Sequence, residues 1–269
     1  MFNEKELVCI KDESNPIIYI IEKIENKKCY LKGLNYRVYK ITNIENLEII
    51  SEELKNKEEY ICKQYCSNLK RNIKERNKNT FLYGRILHID GDKEYLDNCL
   101  SLYHDLNIPA EGIYIKEKEI KNEIERYMLE ITPDIIVITG HDFYNGQGLK
   151  NLDNYENTVY FVEAIRVIRK YFDSDSVPIV VGACASHFEA LIGAGANFAS
   201  SPKRINIHTY DPAVLAIKIS TTSCNRAVDF ENALRYIENK RDAFGGIETK
   251  GKMKMLLWGD LWKLELMRK

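Results

Sequence analysis

Short apolar runs mark the first fifty positions, and longer helical periodicities follow. Leu7–Ile10, Ile17–Ile21, Cys29–Leu31 and Tyr36–Lys40 are rich in β-branched and aromatic residues, with turn-forming stretches such as Asp12–Pro16 and Glu25–Lys28 between them. That spacing predicts a small SH3-like β module over residues 1–50. Residues 51–79 turn to Lys, Glu, Asn and Arg, which predicts a charged helical linker, a charged helix or an exposed connection. From residue 80 to 269 the period changes. Apolar strands are predicted at 85–89, 112–115, 134–138, 178–181 and 197–199, and amphipathic helices at 94–106, 117–129, 158–171 and 186–192. Such alternation specifies an α/β domain with a parallel-rich sheet and helices on both faces. Beyond residue 200 the pattern weakens: Val214–Ile219 fits strand or helix, and Val228–Glu238 predicts a helix.

Composition narrows the function classes. Hydrophobic residues make up 45% and charged residues 29%, an ordinary globular balance. With 39 basic against 40 acidic residues the net charge is -1, so no global field attracts nucleic acid or an anionic membrane. No apolar run reaches the ~18 residues of a membrane span. The start, MFNEKELVCI, lacks the basic-then-apolar layout of a secretory signal. Seven scattered cysteines then fit reduced thiols in the cytoplasm.

In open α/β sheets, chemistry collects at the carboxyl ends of the strands. The first strand of the sheet ends in His88-Ile89-Asp90-Gly91-Asp92. The third ends in Thr139-Gly140-His141-Asp142, and the fourth in Gly182-Ala183-Cys184-Ala185-Ser186-His187. A cysteine and a histidine therefore meet at one sheet edge. A thiol with a pKa of ~8.5 needs a neighbouring base to become a nucleophile at neutral pH. Cys184 also precedes a predicted helix, whose partial positive charge favours thiolate. The backbone N–H groups of Cys184 and Asp142 can meet a developing oxyanion. Small neighbours, Ser186 among them, leave room for a substrate backbone. Asp90 and Asp92 flank the same cleft, and a carboxylate there can hold a basic side chain, bidentate if it is arginine. Asp92 also fits a helix N-cap, which leaves Asp90 as the favoured pocket acid. His88 is expected to line the cleft.

Blander readings compete. A cysteine after a strand is usually a small core hydrophobe; the conjunction with His141, both beside glycine, is what favours catalysis. His187 is a second candidate base that reads better as a helix-surface residue. His208 reaches the site only through a loop, and His104 looks structural. Cys62 and Cys66 share a helical face, but no histidine lies in that segment. No HExxH, paired CxxC or glycine-rich phosphate loop occurs, so neither metal nor cofactor is expected. Lys70–Arg76 is a basic patch that reads as a solvated helix face.

These strand ends, together with Gly195–Pro202, Asn206-Ile207-His208, Asp211-Pro212 and Gly245–Thr249, resemble the caspase-like cysteine peptidases. More closely they resemble the YabG family of sporulation-specific proteases. The resemblance implies a caspase-like fold over residues 80–269, with Cys184 as nucleophile and His141 as general base. It implies an endopeptidase of the sporulating mother cell, in the cytoplasm or the spore coat. Its expected partners are protein substrates, namely spore coat and germination-related proteins, with cleavage after Arg or Lys and self-processing, for which Lys70–Arg76 is a candidate site. Two departures stand out. Asp142 follows the histidine where caspase-like enzymes usually carry glycine. Gly182-Ala183 stand where metacaspases place an acid before the cysteine, so a basic preference would rest on the acids of the first strand. Two other readings stay open: a non-catalytic scaffold or docking module for coat proteins, and a Cys–His acyl transferase or amidase.

Overall fold

The computed structural model describes residues 2–74 and 81–256. Its first unit is a five-stranded antiparallel sheet. The strands are Leu7–Ile10 (β1), Tyr19–Glu25 (β2), Lys28–Gly33 (β3), Tyr39–Asn43 (β4) and Leu47–Ile49 (β5), in the order β4-β3-β2-β1-β5. Asn26 and Lys27, both left-handed (φ 50° and 64°), close the β2–β3 hairpin. Two consecutive positive φ values match the twist of the flanking strands. Val8, Tyr19, Ile21, Cys29 and Leu31 form the buried face. A helix, Glu52–Lys74 (α1), follows, and Ser51 Oγ accepts the Leu54 N–H at its start. Leu54, Tyr65, Leu69 and Ile73 are buried, and the last three join the core shared with the β sheet. Over residues 52–74 the charged segment is thus a packed helix. Residues 75–80 and the Cys66 side chain, on which two of the sequence expectations fall, lie outside the described residues.

After the two-residue strand Phe81–Leu82 (β6), strands and helices alternate: Ile86–Asp90 (β7), Lys93–Asp105 (α2), Ala110–Tyr114 (β8), Ile120–Ile131 (α3), Ile135–Thr139 (β9), Thr158–Arg169 (α4), Ile179–Gly182 (β10), Phe188–Ala194 (α5) and Phe198–Ser200 (β11). Asp211–Thr221 (α6), Phe230–Leu234 (α7), Lys240–Ala243 (α8), Phe244–Gly246 (β12) and Lys254–Met255 (β13) follow among the described residues. Six strands form one sheet in the order β12-β11-β10-β9-β7-β8. β8, β7, β9, β10 and β11 run parallel, and β12 pairs antiparallel at the edge. The strand order reverses between β7 and β9, which opens a crevice at their carboxyl ends.

Period-two alternation sorts the side chains. Leu87, Ile89, Ile136, Ile138, Ile179 and Val181 pack with residues of α3, α4 and α5 on one face. Ile86, Ile135, Val137 and Val180 pack on the other face with α2, α6, α1 and the N-terminal sheet. The N-terminal sheet and the parallel sheet therefore share a core.

One open reading is resolved and two elements differ from the sequence pattern. The run 214–219 is helical: α6 is buried nearly all round, so its continuous apolar character reflects full burial and not a strand. The helix expected over 228–238 shrinks to the five residues of α7. The strand expected at 36–40 begins only at Tyr39, because Asn35–Arg37 leave the N-terminal sheet and pair with Ile207–Thr209.

Candidate active site

The parallel register builds one lateral row across the crevice. Asp90 on β7 is opposite Thr139 on β9, and Thr139 is opposite Gly182 on β10. Two residues beyond each member come Asp92, His141 and Cys184. Adjacent strands lie roughly 4.8 Å apart, and residues two apart share a face. The fold thus brings these three residues to one edge of the sheet.

His141 is tightly positioned. Its backbone N–H donates to Glu117 Oε1 (2.9 Å), and its carbonyl accepts from Asn157 Nδ2 (2.9 Å). Gly140 permits this, because a Cβ there would meet Glu117 Oε1 at 2.6 Å. The ring packs against Tyr39 (centroids 4.2 Å apart) and Tyr95 (5.5 Å). Nε2 lies 3.2 Å from Asp92 Oδ2. A carboxylate only accepts, so Nε2 carries a proton, and in the neutral imidazole Nδ1 is then the nitrogen with the lone pair. Nδ1 is buried and has no hydrogen-bond partner among the described residues. Asp92 Oδ1 also caps α2, accepting the N–H of Glu94 (3.0 Å) and Tyr95 (3.2 Å), and Lys32 Nζ lies 2.9 Å from Oδ2. Burial pushes the Asp92 carboxyl up, but the hydrogen bonds from His141 and Lys32 outweigh it and hold it well below the usual range.

Cys184 is 1% exposed, and its Sγ accepts the Ile207 N–H at 3.2 Å. Burial pushes the thiol up to about 12, against the opposing pull of the Ile207 N–H and the Arg37 charge. In this closed arrangement the thiol is neutral. The expected helix dipole does not reach it, because α5 begins only at Phe188, with His187 as its N-cap. Ala185 next to the cysteine is left-handed (φ 53°), which turns the chain sharply between strand and helix.

Asp90 is fully buried. Its Oδ2 lies 2.6 Å from Nη1 of Arg37, itself fully buried, and its Oδ1 accepts the Asp92 N–H (3.0 Å). His88 sits one layer below and not in the cleft. Its Nδ1 is 3.0 Å from Tyr103 Oη and its Nε2 2.8 Å from Thr139 Oγ1. Burial pushes it down to about 3. Ser186 is buried, with its Oγ 3.2 Å from Ser200 Oγ. The Asp142 carboxyl turns away from the crevice: it accepts the N–H of Phe143 (2.9 Å) and Asn157 (2.7 Å) and the Thr158 hydroxyl. Burial raises it to about 6. Beside His141 a cleft of about 730 Å³ opens between the two units, walled by Tyr30, Leu31 and Tyr39 on one side and Glu117, Phe143 and Asn157 on the other. Among the described residues no cluster of side chains could hold a metal ion, and no helix is long and apolar enough to cross a membrane.

The family model described as YabG peptidase U57 matches residues 4–257. The chain belongs to the YabG peptidase U57 family. It is 43% identical over 175 residues to the sporulation-specific protease YabG of Bacillus subtilis (strain 168), a match spanning 64% of this chain and 60% of that relative. The chain thus spans less than two thirds of the curated relative it matches. The family match covers the N-terminal sheet, α1 and the parallel sheet together, so all three are parts of the family's architecture.

In this member of the YabG family the candidate site includes one residue, Arg37, and one contact, that of Asp92 with His141, that the strand ends alone do not reveal. Arg37 was hidden in what reads as an ordinary strand, Tyr36–Lys40; its one signal is a guanidinium inside an aromatic and β-branched run. Asp92 reads as a cap and serves as one, but its second oxygen faces His141. The bond became visible only through the register. His208 is fully buried, stacked on Tyr65 (4.6 Å), and burial pushes it down to about 3. It anchors the 207–209 segment and offers no base to Cys184.

Proposed function

We propose that this chain is a caspase-like cysteine endopeptidase that cuts on the carboxyl side of arginine. The carrying observation is the aligned row Asp92–His141–Cys184, with the imidazole tautomer set by the acid. A nucleophile, a base and an orienting acid on adjacent strand ends are the groups that triad chemistry requires, and the acid–base contact is already made while Cys184 Sγ is bonded to Ile207 instead of His141. The sheet order, with an antiparallel sixth strand at the edge, supports the caspase-like reading.

In this reading the Cys184 thiol passes its proton to Nδ1 of His141, and Sγ attacks the scissile carbonyl carbon. The oxyanion is met by the backbone N–H groups of Cys184 and Asp142. His141 then protonates the leaving amine and a thioester remains. Water, deprotonated by His141, releases the acid and restores the thiol. Asp90 holds the arginine of the substrate, with Ser186 and the rest of the small-residue turn around Cys184 leaving space for its backbone. The curated relative's name places that protein in sporulation. For this chain we infer the same setting: the mother cell or spore coat, coat and germination-related proteins as substrates, and processing of its own chain.

The test uses N-blocked peptides carrying a fluorogenic amide after Arg, Lys or Asp. Hydrolysis is expected in the order Arg above Lys, with Asp uncut, and it should stop on alkylation with iodoacetamide. Absence of hydrolysis with all three, or hydrolysis undiminished when Cys184 is fully alkylated, would refute the reading. Coat proteins bound but left uncut would favour the scaffold, and a product joined to an added amine would favour an acyl transferase.

Asp92→Asn gives a second check. An amide at this position presents no obligate acceptor to Nε2 and releases the tautomer. The expected loss is about 100- to 10,000-fold in kcat with little change in KM. Steady-state kinetics on the arginine peptide measure it, and an unchanged kcat would remove Asp92 from the mechanism.

A further inference from the structure

Residues 35–39 lie in the crevice as a bound peptide would. The Arg37 N–H donates to the Ile207 carbonyl (3.2 Å), and the Thr209 N–H donates to the Asn35 carbonyl (2.8 Å). Tyr36 and His208 form an antiparallel bridge. This is strand addition, in which main-chain bonds give affinity and side-chain pockets give selectivity. The Arg37 side chain enters a closed pocket. Nη1 meets Asp90 Oδ2 (2.6 Å), Nη2 meets the Thr209 carbonyl (3.4 Å), and the guanidinium lies 5.2 Å from the Tyr95 ring centre. Arg37 Nε is buried without a partner among the described residues. A pocket built for fold stability alone gains little from such a pair, because apolar replacements of a buried ion pair are often as stable or more so.

The same segment touches His141 directly and Cys184 through Ile207. Ile207, whose carbonyl accepts from Arg37, gives its own N–H to Cys184 Sγ. Two residues on, Tyr39 packs on the His141 ring, and its hydroxyl lies 3.3 Å from Asp92 Oδ2. Along the chain the Arg37–Val38 peptide bond lies between Arg37, bonded to the residue that contacts the thiol, and Tyr39, which covers the imidazole. It is held in a turn: the Val38 N–H donates back to the Tyr36 carbonyl (2.8 Å), which also accepts from Tyr95 Oη (2.8 Å). With its N–H so engaged, the leaving nitrogen is not presented to a base.

Resting on the peptidase reading, we propose that Asn35–Tyr39 is a resident substrate-like segment that fills the site, with Arg37–Val38 as its cleavage point. The N-terminal sheet then acts as a tethered plug, and the pocket of Asp90 is the one that takes arginine from protein substrates. Hydrolysis consumes one water: the Arg37 carbonyl–Val38 nitrogen bond breaks through the Cys184 thioester, hydroxide adds to Arg37, and a proton goes to the Val38 amine.

Three full-length proteins test this: the wild type, Arg37→Ala and Arg37→Lys. The lysine variant keeps a cation against Asp90 and guards against simple misfolding of the alanine variant. Incubated wild type should acquire a new N-terminus at Val38, and Arg37→Ala should not. Cys184 in Arg37→Ala should be alkylated by iodoacetamide roughly tenfold faster or more than in uncut wild type, with Arg37→Lys between them, as expected when a closed state limits access. Equal alkylation rates in all three, or a new N-terminus at another bond only, would overturn the proposal. Hydrolysis of external arginine peptides with equal alkylation rates would overturn the plug alone. Faster alkylation of Arg37→Ala without any peptide hydrolysis would keep the plug and overturn the peptidase reading.

Discussion

Replacing Cys184 by alanine should abolish peptide hydrolysis and leave the fold intact. Removing a nucleophile that acts as one unit with its base costs on the order of a millionfold in kcat, which places the variant at background. The fold should survive because the side chain is small. Its polar contacts are a bond accepted from the Ile207 N–H and a longer one to the Ile207 carbonyl (3.9 Å), and leaving that N–H unsatisfied costs about 1–3 kcal/mol. Thermal unfolding followed by circular dichroism, beside hydrolysis of the arginine peptide, separates the two effects. Retained hydrolysis in a folded variant would show that the sulfur is a core residue and no more.

The second large effect is expected at Asp90. Asp90→Ala strips the counter-charge from a guanidinium that is fully buried in this structure. Breaking a buried pair from one side costs about 3–5 kcal/mol, so the intact chain should unfold at distinctly lower denaturant. The Asp92 N–H loses its acceptor as well, which loosens the turn that holds Asp92 against His141. Asp90→Asn keeps an oxygen for that N–H and removes only the charge. With this variant, kcat/KM for arginine peptides should fall by roughly 30- to 3,000-fold, the equivalent of about 2–5 kcal/mol. Peptides with a neutral residue before the scissile bond should lose far less. Unchanged arginine preference in Asp90→Asn would assign the pocket elsewhere and leave Asp90 as a structural partner of Arg37.

How much of this was legible before the fold is clearest from particular residues. The apolar runs ending at Asp90, Thr139 and Gly182 are continuous because both faces of the parallel sheet are covered, and that made the strands and their chemical ends readable. Cys184 and His141 followed directly. The Asp92–His141 bond did not, because a capping role already accounted for the acid and only the register shows its free oxygen. α5 begins two residues later than the apolar pattern predicts, since Ala185 takes a left-handed turn that no local pattern announces. Arg37 was the largest omission. Its partners are Asp90, Ile207 and Thr209, far away in sequence, and contacts of that range leave no periodicity to read. The same long reach hid the relation between the two sheets: alternation in β2 and β3 shows that they have a buried face, not that their neighbour is the crevice of a second unit.

The most direct test of the central claim is covalent labelling of a preparation that is hydrolysing the arginine peptide. A peptidyl-arginine acyloxymethyl ketone alkylates the attacking sulfur, and mass spectrometry of the digested protein locates the adduct. The account predicts label on Cys184, activity lost in step with labelling, and no adduct at that position in a folded His141→Ala variant. Activity silenced while Cys184 stays unmodified, with the adduct on another residue, would contradict it.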